Sequence, residues 1–156
     1  MSRTLPAARE AFIGAMKRET SGAELTRLVA VLDGLIKWSV ARPKVLAFHS
    51  ADSAAGVLAF QSVESKTILW SVRVARGDAP KLELHVSSNP ETRARIMETL
   101  NAHSRVALIE KDRLRIGFGA LKNAAAFDAV IRLLGELTTV DNGRAPADGG
   151  RATATA

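Results

Sequence analysis

The sequence predicts an α+β fold, a mixed or antiparallel sheet of about five to six strands, four and then two, with helices packed on it. Three observations lead there. Residues 67–86 (TILWSVRVARGDAPKLELHV) hold two runs of alternating apolar and polar residues around a Gly-Asp-Ala-Pro turn. That is the period-two pattern of half-buried strands. The strand-like segments also come in runs instead of alternating with helices, which disfavours a doubly wound parallel sheet. Finally, apolar residues at three- and four-residue spacing mark helices towards both ends of the chain.

Taken in order, Pro6 falls in the first turn of a helix running to about Lys17, where its missing N–H removes no intrahelical bond. Its apolar stripe (Ala8, Phe12, Ala15, Met16) is thin, so residues 1–20 read as a helix able to sit at the periphery or pack on a partner. Ser21 with Glu24 is a capping-box signature for a second helix. Leu25, Leu28, Val29, Leu32, Leu35 and Ile36 give that helix a broad apolar face, and Arg42-Pro43 ends it. Residues 44–49 (KVLAFH) and 56–63 (GVLAFQSV) read as strands apolar on both faces, expected at the centre of the sheet and covered from each side.

The alternating pair follows. Ile68, Trp70, Val72 and Val74 share one face with Leu82, Leu84 and Val86. Thr67, Ser71, Arg73, Lys81, Glu83 and His85 share the other. Asn89-Pro90-Glu91 supplies a cap, a first-turn proline and an acid for a helix to about Ala102 that buries Ile96 and Leu100. Residues 106–110 and 113–118 form a second hairpin across Lys111-Asp112. Asn123 caps a last helix carrying Phe127, Val130, Ile131, Leu134 and Leu137. Residues 139–156, rich in Gly, Ala, Thr and charge, have almost nothing to bury and are expected to form a disordered tail. Residues 1–138 are the expected domain.

A chain of 156 residues with 47% hydrophobic content suffices for one core. Its 22 basic and 16 acidic side chains give a net charge of +6. The isoelectric point near 10.3 exaggerates this modest excess, since without Tyr or Cys nothing titrates between His and Lys. The absence of cysteine excludes disulfides, thiolate catalysis and thiolate zinc sites. No apolar run approaches the roughly 20 residues of a membrane span. The N-terminal segment lacks a signal-peptide apolar region, so a cytoplasmic location and no membrane partner are expected.

Catalytic signatures are missing. His49, His85 and His103 lie on different elements without metal-ligand spacing, and no GxSxG elbow or phosphate loop is present. His49-Ser50-Ala51-Asp52-Ser53 gathers triad residue types in one loop, but sequence neighbours do not face one another in triad geometry. Gly117-Phe118-Gly119-Ala120 lacks a third glycine and suits a bend at a strand end. Glu10, Glu24, Glu98 and Glu136 fall on polar helix faces. No cofactor is implied.

The polar strand face remains. If Leu114, Ile116 and Phe118 point inward, Arg113 and Arg115 join Arg73, Lys81 and His85 outside, opposed by Glu83, with Leu69 as an apolar spot among them. The leading expectation is a noncatalytic interaction module using this face, with a protein partner or a second copy of the chain. The alternative is sequence-nonspecific contact with nucleic-acid phosphates, which arginine forks suit. With seven aromatics, most at core positions, the stacking platforms of single-strand binders are missing. On the nucleic-acid reading, Arg73→Glu with Arg115→Glu weakens binding without lowering the melting temperature. An enzyme using scattered Asp, Glu and His is the third reading.

Overall fold

Alternation in the middle of the chain builds the middle of a six-stranded antiparallel sheet. The structure is a computed structural model and describes residues 4–49, 56–86, 90–103, 107–110 and 112–143. Its elements are α1 (Leu5–Lys17), α2 (Gly22–Val40), β1 (Leu46–Phe48), β2 (Val57–Ser62), β3 (Ile68–Arg73), β4 (Lys81–His85), α3 (Pro90–Asn101), β5 (Ala107–Glu110), β6 (Arg113–Gly117), a short 3-10 helix (Phe118–Lys122) and α4 (Ala124–Gly143). The strand order is β1-β2-β3-β4-β6-β5. The first four strands form a meander. After α3 the chain returns so that β6, and not β5, pairs with β4.

Register puts the large apolar residues on one face. Phe60 lies opposite Trp70, Trp70 opposite Leu84, and Leu84 opposite Leu114. Trp70 is fully buried and stacks on Phe60 at 5.2 Å between ring centroids, a pairing worth about 1 kcal/mol beyond area burial. Its indole N–H donates to Ser39 Oγ at 2.8 Å, and the Ser39 hydroxyl donates to the Leu35 carbonyl one turn back. A serine inside a helix is therefore satisfied twice, and α2 is fixed on the Trp70 side of the sheet. Phe12 of α1 packs on Phe118 on the same side, and α4 lies against α2. Gly34 permits that approach, since a Cβ there would come within 2.7 Å of the Phe127 ring. α3 packs on α4. The described helices thus form one layer, on one side of the sheet.

Several expectations need correction. The N-terminal helix is not peripheral: Phe12 and Met16 are fully buried, and the Arg9 fork grips Asp33 of α2 at 2.7 and 2.9 Å. Thr4 Oγ1 accepts from the Ala7 N–H at the start of α1. Ser21 stands at the N-cap of α2 but makes no side-chain cap bond, and Glu24 pairs instead with Lys122 across the 3-10 helix. β1 is a three-residue edge strand rather than a central one, whereas β2 lies inside the sheet between β1 and β3, with Leu58, Ala59 and Phe60 buried in succession. α4 runs to Gly143, so the boundary at residue 139 falls too early. Asn89 and residues 144–156 lie outside the described residues.

Other features follow the local chemistry. Asn123 Oδ1 accepts from the Ala126 N–H at the start of α4. Gly77 takes φ +77° in the β3–β4 turn, where the Asp78 N–H donates to the Ala75 carbonyl. The Gly117–Ala120 run becomes a 3-10 turn that buries Phe118 and Leu121.

Candidate functional site: a basic strand face

The sheet face turned away from the helices is organised around one carboxylate. Glu83 sits on β4 with Ser71 of β3 on one side and Arg115 of β6 on the other. Its side chain is 1% exposed. Arg115 is its direct cross-strand partner, donating to Oε2 from Nη2 at 2.7 Å and from Nε at 3.2 Å. The two diagonal neighbours close in as well, as long side chains can. Arg113 donates from Nη1 to Oε1 at 3.3 Å, and Arg73 Nε lies 3.6 Å from Oε2. Three guanidiniums from two flanking strands therefore converge on one acid. An ionised carboxylate is tolerated at such depth only when paired and hydrogen-bonded, and both conditions hold here.

Arg73, Arg113 and Arg115 share this face as the alternation predicts, but they serve different surroundings. Arg73 is half exposed, while Arg113 and Arg115 are about one-quarter and one-third exposed. Lys81 faces Arg73 in register yet turns to the β3–β4 turn, donating to Asp78 Oδ1 at 2.8 Å. That bond, then the attraction of the ammonium, holds the Asp78 carboxyl below its ordinary range. His85 lies opposite Arg113 at the far end of β4. All five residues singled out from the sequence thus belong to adjacent strands.

Three details of the expected face change. Glu83 is the buried centre of the cluster instead of a wetted counter-charge, and Ser71 is buried beside it. Leu69 is 8% exposed, so it adds no apolar spot to the surface. Arg115 also cannot be reversed without cost, because Arg115→Glu would set a second carboxylate against buried Glu83. The expectation of an unchanged melting temperature for Arg73→Glu with Arg115→Glu is therefore withdrawn. The sequence signal for Glu83 was present: one acid of polar parity among four cations. Its burial, however, depends on β6 lying beside β4, which no local pattern encodes.

All seven aromatic side chains lie elsewhere. Phe12, Phe60, Trp70 and Phe118 are buried in the core, and Trp38, Phe48 and Phe127 pack against it. His49 Nδ1 and Gln61 Oε1 are 2.7 Å apart across β1 and β2. Residues 50–53 of the His-Ser-Ala-Asp-Ser segment lie outside the described residues. Among the described residues no three His, Asp or Glu side chains gather as metal ligands, and no helix is long and apolar enough to cross a membrane.

The fold and site together define a class: a two-layer α+β domain with helices on one sheet face and an arginine cluster on the other. No protein-family model, curated protein or solved structure matches the chain.

Proposed function

We propose that this chain is a noncatalytic binding module that docks an acidic protein partner on the face formed by β3, β4 and β6. One observation carries the reading. Arg73, Arg113 and Arg115 all reach Glu83, and Arg73 and Arg115 still keep about half and one-third of their side chains at the surface, where cationic forks are presented together. Such a surface steers and selects partners of opposite charge. A two-fold dimer through the same face is disfavoured, because it would set each cation cluster against its own copy. A nucleic-acid strand would meet arginine forks without any aromatic platform for its bases.

The test compares the native chain with Arg73→Gln/Lys81→Gln, which removes the two cations least tied to Glu83. Partners captured from extract by the native chain are identified, purified and rebound. The expected result is an acidic protein whose binding weakens about tenfold in the variant and falls with added salt. Its amide perturbations should map to β3, β4 and β6. Equal affinity for the variant, perturbations on the helical layer, failure to reconstitute any partner, or tighter binding of an oligonucleotide would overturn the proposal.

A further inference from the structure

We infer that Arg73 and Arg115 form an oxyanion subsite that holds one Asp or Glu carboxylate of an acidic protein segment. This rests on the reading of the face as a docking surface and gives it a chemical centre. The two residues come from strands on either side of β4, about 10 Å apart at the backbone. Their side chains nevertheless lean together over Glu83, and both reach Oε2.

Each retains donors. Arg115 spends Nε and Nη2 on Glu83, and its Nη1 has no acceptor among the described residues. Arg73 approaches Glu83 only through Nε, and neither of its Nη groups has an acceptor there, although half of the side chain faces solvent. Two guanidiniums thus share one negative charge that Arg113 also draws on. One added carboxylate bridging the two takes up their unspent donors and relieves their mutual repulsion. Glu83 does the positioning. Buried and bonded on both oxygens, it holds the Arg115 fork before any ligand arrives, which lowers the ordering cost of binding.

The surroundings select a single carboxylate over a phosphate chain. Nucleic-acid backbones need cations repeated along a track. Here the cation next to Arg73 in register, Lys81, is engaged by Asp78, and Glu83 interrupts the row towards Arg115. A short acidic segment asks for only one well-placed fork pair.

The test follows arginine Nε–Hε resonances of the full chain by NMR during titration with a blocked Gly-Glu repeat octapeptide, with acetate and with an eight-residue oligothymidylate. The peptide is expected to shift Arg73 and Arg115 saturably and to leave Arg9 and Arg42 unmoved. Arg73→Gln should weaken the peptide about tenfold. Arg115→Lys, which keeps the charge and loses the fork, should do the same, with the melting temperature measured alongside. Uniform, unsaturating shifts at every arginine, or unchanged affinity in Arg73→Gln, would overturn the subsite. Displacement of the peptide by a lower concentration of oligothymidylate would also overturn it and assign the pair to phosphate. If the peptide fails while a reconstituted partner still loses affinity in Arg73→Gln/Lys81→Gln, the docking face stands and only the subsite falls.

Discussion

Replacing Glu83 by Gln isolates what the buried carboxylate contributes, because the two side chains have nearly the same shape. In the native chain Oε2 accepts two bonds from Arg115 and Oε1 accepts one from Arg113. An amide offers one acceptor oxygen and one NH2 donor. Its oxygen can keep the Arg115 fork, but those bonds then lose their ionised acceptor, a loss of about 1 kcal/mol across the fork. The NH2 group faces the Arg113 donor, so that bond disappears at about 1–2 kcal/mol. Removing a charge from a fully buried pair can cost about 3–5 kcal/mol. Here the arginines keep a quarter to a half of their surface in water and remain solvated, which reduces the figure. The expected destabilisation is about 2–3 kcal/mol, a fall of roughly 5–10 °C in melting temperature for a chain of this size. Urea unfolding followed by the fluorescence of Trp38 and Trp70 measures it. The loss should persist in 1 M salt, since buried pairs are poorly screened. A variant within about 0.5 kcal/mol of the native chain would refute the argument that Glu83 organises this face.

Two further outcomes are expected. Ser39→Ala removes the acceptor of the fully buried Trp70 indole N–H and should cost about 1–3 kcal/mol by the same urea assay, with a shift in Trp70 emission. An unchanged midpoint would mean that the indole finds another acceptor. Asp78→Asn should lower the melting temperature at neutral pH. Lys81 depresses the Asp78 carboxyl in the folded chain, so its stabilisation is present above the ordinary carboxylate value of 3.8 and is lost as pH falls through the lower folded value. The native and variant melting temperatures should therefore converge in acid, and a gap independent of pH would refute the Lys81 contact as its cause.

Much of the scaffold could be read directly because it is local. The parity of Trp70, Val72, Leu82 and Leu84, the apolar face of α2 and the Asn123 cap each depend on residues a few positions apart. The errors share the opposite character. KVLAFH reads as a central strand from composition, yet among the described residues β1 pairs with β2 alone and stands at the edge. The stripe of α1 looks thin by count, but Phe12 and Met16 are fully buried, and the Phe12 ring meets that of distant Phe118. Glu24 fits a capping box in one dimension but accepts instead from the Lys122 ammonium, 98 residues away.

The amino-acid order alone determined which residues could lie in strands or helices, and that four cations and one acid would share a strand parity. Tertiary structure decided what that parity became. Only the crossover through α3 brings β6 beside β4, and only that adjacency sets Arg115 opposite Glu83, with Arg73 and Arg113 on its diagonals. Periodicity is a property of neighbouring dihedrals, whereas the pairing of a charge with its counter-ion is a property of distance in space. A surface of scattered charges and an organised arginine cluster are the same sequence pattern until the sheet order is known.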